Sequence, residues 1–130
     1  MKVAVVGCGG VSALHFDAAF RSPCAQLVAA VDIKPERARY YAEKYGINAY
    51  TDYYEMLEKE RPDTVHICTP HCFHTEYSVR ALNEGINVLC EKPCSVNDEE
   101  IRSERDSNPR GVAAKRFSRP PRYDRFDIAP

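Results

Sequence analysis

The chain has 130 residues, 44% apolar and 28% charged, with a formal net charge of −1. That length accommodates one domain with a real hydrophobic core, and not two of ordinary size. The near-zero charge leaves no footprint of a nucleic-acid binder, and no apolar run approaches the ~20 residues needed to cross a bilayer.

The charge is unevenly divided. Residues 1–101 carry −5, whereas residues 102–130 carry +4 and hold four of the nine prolines. The expected organisation is a folded unit over 1–101 and a basic, Arg/Pro-rich, disordered tail over 102–130. The opening Met1–Gly7 is too short an apolar stretch for a signal peptide. Six cysteines without a secreted context read as reduced thiols, so the expected location is cytoplasmic.

In chain order, Lys2–Val6 is a β-rich run ended by Gly7, and Ser12 to Arg21 is a helix carrying Leu14 and Ala18 four residues apart. A second strand, Leu27–Val31, ends at Asp32. Pro35–Tyr45 places Ala38, Tyr41, Ala42 and Tyr45 on one helical stripe, with Pro35 at its start and Gly46 as its stop. Asn48–Tyr50 is a weaker strand. Asp52-Tyr53-Tyr54-Glu55 resembles a capping box opening a helix that uses Tyr53, Met56 and Leu57. Thr64–Cys68 and Ile86–Cys90 are further strands, separated by a helix over His74–Glu84 that runs through Tyr77, Ala81 and Leu82 to Gly85. Ser95-Val96-Asn97-Asp98 reads as a last helix start, reaching Ile101. Alternating strands and helices, with continuously apolar strands, predict an α/β fold: a doubly wound parallel sheet buried on both faces.

Gly7-Cys8-Gly9-Gly10-Val11-Ser12 lies between the first strand and the first helix. Gly7 permits the tight turn, Gly9 lets backbone approach a pyrophosphate, and the helix N-terminus offers N–H groups to the anion. Ser12 stands where the fingerprint has glycine or alanine, and is small enough to keep helix and strand close. Asp32 closes the second strand, where a carboxylate takes the adenosine ribose hydroxyls and repels a 2′-phosphate. This favours NAD; Lys34 and Arg37 nearby leave NADP open. Two clusters follow later strands, Thr69-Pro70-His71-Cys72-Phe73-His74 and Glu91-Lys92-Pro93, at the strand ends where open α/β sheets bind ligands.

With the glycine turn, His15, Asp32, the Thr69-Pro70-x-x-x-His74 pattern and the Glu91-Lys92-Pro93 triplet, the chain resembles the N-terminal domain of the Gfo/Idh/MocA oxidoreductases from Met1 to about Ile101. The resemblance implies that Gly7, Gly9, Gly10, Val11, Ser12 and Asp32 hold the dinucleotide, with Thr69, Pro70, His71 and His74 along its path to nicotinamide. Glu91 and Lys92 would stand beside nicotinamide and substrate, with Lys92 as the catalytic residue. His71 occupies a position where that family often has asparagine. An ammonium held near NAD(P)⁺ and partly desolvated has its acidity raised, which helps it polarise or deprotonate a substrate hydroxyl. His15 and His74 read equally as polar helix-end residues, and His66 as a satisfied strand histidine.

The family's second domain, which supplies substrate-binding groups, is not recognisable after Ile101. The expected reading is the truncated cofactor half of a sugar or polyol oxidoreductase, inactive alone, its substrate domain replaced through truncation or a frameshift. A non-catalytic dinucleotide-binding or interaction module is the second reading. Zinc is the third: Cys68-x-x-x-Cys72 and Cys90-x-x-x-Cys94 lie near His71 and His74. No metal is expected, because Cys68 and Cys90 fall in strands, where cysteine acts as a small buried apolar residue. Aromatic residues interleaved with arginines from Arg116 to Phe126 give the tail a lesser reading as an RNA-binding segment.

Overall fold

The computed structural model describes residues 1–93. The helix start at Ser95, the boundary at 101 and the tail over 102–130 lie outside the described residues.

Five strands, β1 (Lys2–Val6), β2 (Gln26–Val31), β3 (Asn48–Tyr50), β4 (Thr64–Ile67) and β5 (Asn87–Cys90), alternate with α1 (Ser12–Arg21), α2 (Pro35–Tyr45), α3 (Tyr53–Glu60) and α4 (His74–Asn83). The strands pair in parallel in the order β3-β2-β1-β4-β5. The direction of winding reverses between β1 and β4, and a ligand crevice opens at such a switch point beyond the carboxyl ends of the strands.

The central strands bury both faces, as their unbroken apolar runs require. Val3, Val5, Leu27 and Ala30 pack with Phe16 and Ala19 of α1 and Tyr41 of α2. On the opposite face Ala4, Val6, Val31, Val65 and Ile67 meet Tyr53, Met56 and Leu57 of α3 and Ala81 of α4. Aromatic stacking tightens both layers. Phe16 and Tyr41 lie 4.1 Å apart between ring centroids, and Tyr53 and Tyr77 lie 4.4 Å apart. Burial on both faces does not extend to the edges. In β5, Val88 is buried while Leu89 is 49% exposed, and β3 buries no residue fully.

Three local details differ from the sequence reading. The buried face of α1 is Ser12, Phe16 and Ala19, whereas Leu14 is 72% exposed and Ala18 also faces solvent. Two residues spaced by four define a face but not its direction, and the bulk of Phe16 turned the helix its own way. The capping box at Asp52 forms by half: Asp52 accepts the Glu55 N–H at 2.8 Å, but the Glu55 carboxylate pairs with Lys59 at 2.6 Å. Finally, a single 3₁₀ turn, His71–Phe73, precedes α4 and carries the chain from β4 across the crevice.

Candidate functional site

Three turns meet at the carboxyl edge of the sheet: those after β1, β4 and β5. The first begins at Gly7, whose φ of +89° and N–H···O=C bond to Val31, at 2.7 Å, bend the chain out of β1. A Cβ at Gly7 would stand 2.7 Å from the Cys68 carbonyl carbon and 2.7 Å from the Thr69 nitrogen, so glycine is required for the β1 and β4 turns to touch. At Gly9 and Gly10 an added Cβ would meet nothing within 4 Å. Those two glycines face open space, where a ligand can approach the backbone.

The turn feeds α1, whose N-terminus has no side-chain cap. Val11 is exposed and Ser12 fully buried. The Ser12 hydroxyl donates to the Gly9 carbonyl at 2.6 Å, which closes the loop and commits the side chain inward. The Ser12 N–H also turns back to the Gly9 carbonyl, at 3.2 Å, so what Ser12 offers an anion is its place at the positive end of the helix dipole rather than its own donors.

Asp32 braces the loop from β2. One carboxylate oxygen accepts the Cys8 N–H at 2.8 Å and the other accepts the Lys34 N–H at 2.8 Å. A carboxylate has about four lone-pair sites, so acceptors remain for ribose hydroxyls. Beneath it the Cys8 thiol is pushed up to about 12 by burial and by the Asp32 charge, with Arg37 acting in the opposite sense. The Arg37 charge is thus felt at the turn. Cys68, likewise raised to about 12 chiefly by burial, is a second inert thiol under the site.

Thr69 follows β4 with a property rare in folded proteins. Among the described residues, its hydroxyl is the buried side-chain polar atom with no hydrogen-bond partner. Leaving such a group unpaired costs about 1–3 kcal/mol, so an orphan at a sheet's ligand-binding edge marks a missing acceptor or donor. Pro70 and His71 beside it are exposed. His74 is placed differently. It is 1% exposed, its Nδ1 lies 2.7 Å from the Pro93 carbonyl oxygen, and its Nε2 lies 2.7 Å from the Thr69 carbonyl oxygen. His74 therefore straps the second turn to the third from behind, and any influence on a ligand passes through Thr69 and Pro93.

The third turn carries Glu91 and the exposed Lys92. The Glu91 N–H continues the β4–β5 ladder to the Ile67 carbonyl at 2.9 Å, and its carboxylate lies 2.7 Å from Nε2 of His15. That contact, reinforced by the Lys92 N–H and charge, holds the Glu91 carboxyl below its usual range. His66 lies behind His15, with the two Nδ1 atoms 3.4 Å apart. Burial, then the neighbouring His15, lower His66 to about 4. The sequence pointed to Glu91 and His15 separately, but nothing in it could pair residues 76 positions apart. Only the strand register brings them together.

Among the described residues no group of three or more His, Cys, Asp or Glu side chains is arranged to hold a metal ion, and no helix is long and apolar enough to cross a membrane. A cavity of about 650 Å³ lies at the opposite edge of the sheet, lined by Leu57, Arg61, Asp63, Glu84 and Asn87. It is remote from all three turns.

A parallel sheet with a glycine turn, an uncapped helix start and a strand-end carboxylate at its switch point defines a dinucleotide-binding Rossmann unit. Residues 1–105 match the oxidoreductase family with an NAD-binding Rossmann fold, Gfo/Idh/MocA, and the chain belongs to that family. It is 36% identical over 104 residues to D-glucoside 3-dehydrogenase of Escherichia coli K12, covering 78% of this chain and 30% of that enzyme. Inositol 2-dehydrogenase of Rubrobacter xylanophilus is 35% identical over 94 residues, 72% of this chain and 27% of that enzyme. The structure of scyllo-inositol dehydrogenase from Lactobacillus casei, with bound NAD(H) and scyllo-inositol, superposes with a TM-score of 0.76 at 27% identity, covering 82% of this chain and 32% of that one. The chain thus spans about a third of the length of these relatives.

Proposed function

We propose that the chain is the cofactor half of an NAD(P)-dependent oxidoreductase acting on a carbinol carbon of a sugar or polyol, and that alone it binds dinucleotide weakly and turns over little or nothing. The open backbone over Gly9 and Gly10 carries the reading, because a pyrophosphate can reach it beside the uncapped start of α1; the buried, unpaired Thr69 hydroxyl in the β4 turn packed against Gly7 supports it. The names of the relatives, sugar and inositol dehydrogenases, support the substrate class. The open space over Gly9 and Gly10 and the free acceptor sites of Asp32 fit a dinucleotide.

In this reading Gly7, Gly9, Gly10, Val11 and Ser12 seat a pyrophosphate on the α1 N-terminus, and Asp32 accepts from the ribose hydroxyls. Thr69 and Pro70 line the way to the nicotinamide, which when bound accepts the hydride. Lys92 Nζ polarises the substrate hydroxyl as the ammonium, or takes its proton as the amine when the hydride leaves. The remaining substrate contacts belong to residues beyond this unit, which is why turnover is not expected of it alone.

Thr69→Val is the sharpest test, since it deletes the hydroxyl with little change of shape. Without ligand the variant is expected to be more stable, by up to about 1–3 kcal/mol, because the unpaired group is gone. NADH affinity, followed by nicotinamide fluorescence, should fall by about tenfold, the equivalent of one lost hydrogen bond. Unchanged NADH binding would remove the reading. For Asp32→Ala the expected outcome is a change of preference. NADH binding weakens by about tenfold or more, as for hydrogen bonds to a charged group, while NADPH binding is spared or improved through Lys34 and Arg37. Parallel titrations with the two cofactors check it.

A further inference from the structure

We propose that Glu91, His15 and His66 form one proton-sharing unit that positions the Lys92 turn. The proposal rests on the reading of Lys92 as a substrate-facing residue, although the unit itself is defined without any ligand.

The geometry fixes where the protons must be. The Glu91 carboxylate only accepts, so at 2.7 Å the His15 Nε2 carries a hydrogen. In a neutral ring the His15 Nδ1 is then an acceptor, and the 3.4 Å contact requires the hydrogen to sit on Nδ1 of His66. A histidine with no such partner favours the Nε2–H form. The two rings meet edge to face, 5.3 Å between centroids at 73°, which lets a ring edge rather than a ring face address its neighbour. The set is sheltered, with side-chain exposures of 12% for His15 and 33% for Glu91.

With both rings neutral the set is complete. Burial and the neighbouring His15 lower His66 to about 4, which keeps it a neutral donor to His15. Glu91 is the ionised member, so the bond it accepts from His15 Nε2 is charge-assisted and holds the neighbouring Lys92 backbone. The other groups that bear on the set are Lys92, against Glu91, and the Cys68 thiol, whose ionisation the Glu91 charge opposes.

Histidine ring-nitrogen NMR on the full chain, without cofactor and at about pH 8, reads the tautomers directly. His15 is expected as Nε2–H and His66 as Nδ1–H. If His66 is Nε2–H, the unit does not exist; this reading needs no variant. In His15→Leu, amide hydrogen exchange at Glu91 and Lys92 should quicken by about tenfold, the loss of one bond to a charged group, while exchange in β1 is unchanged. Unaltered exchange at Lys92 would refute the positioning role. NADH titration of the same sample tests the cofactor reading separately, so coupled histidines without NADH binding would remove that reading and leave the unit standing.

Discussion

Gly7→Ala is expected to cost about 2–5 kcal/mol of folding stability, the sum of a left-handed backbone penalty and forced overpacking. Both arise at the same atom. The φ of +89° disfavours any Cβ, and the Cβ would lie 2.7 to 2.8 Å from the backbone of Cys68 and Thr69, which has no flexible end to move aside. Relief would require the β1 and β4 turns to part, and with them the two halves of the crevice. Urea unfolding of the apo chain measures the loss. Gly10→Ala is the matched comparison, because its Cβ meets nothing within 4 Å. Its stability should stay within about 0.5 kcal/mol of the parent, as for an ordinary surface substitution. Equal destabilisation of the two variants would contradict the packing argument.

His74→Leu is the second large effect. The leucine fills much of the imidazole's space but offers nothing to the carbonyls of Thr69 and Pro93, each of which now lies 2.7 Å from a ring nitrogen. At 1% exposure water cannot readily take over. A neutral imidazole carries one N–H and donates to one of these carbonyls, so the carbonyl stripped of its partner gives an expected loss of about 1–3 kcal/mol. NADH affinity should also fall, because the strap sets the distance between the Thr69 and Lys92 turns. His74→Gln can restore a donor to one carbonyl through its amide N–H and should recover part of the stability. A leucine variant of unchanged urea midpoint and unchanged NADH affinity would show that the strap carries no weight.

The two substitutions mark different degrees of legibility. Gly7 was readable because the demand on it is local: a strand must turn into a helix, and a glycine-rich spacing states how. Asp32 was readable for the same reason, standing at the end of a strand whose length the apolar run defines. The role of His74 was not readable, because helix-end polarity and a cofactor contact predict the same letter. Burial decided between the uses open to it, and burial depends on the neighbouring turns. His66 is similar. A strand histidine looks self-sufficient until the β1–β4 register places it behind His15. The α1 stripe failed for the converse reason, since Leu14 and Ala18 have a helical spacing that Phe16 outweighs once a sheet face is available.

By itself, then, the sequence determined the order of elements, the parallel winding and the identity of the glycine turn and strand-end acid, because each is written within a few neighbouring residues. The tertiary structure alone decided which polar side chains the fold itself consumes. Thr69 is left unpaired, Ser12 and His74 are spent on the fold, and Glu91 is shared with His15. The reason is physical: a hydrogen bond depends on atoms brought within about 3 Å of each other, and residues from three different turns come that close only when the sheet has set their register.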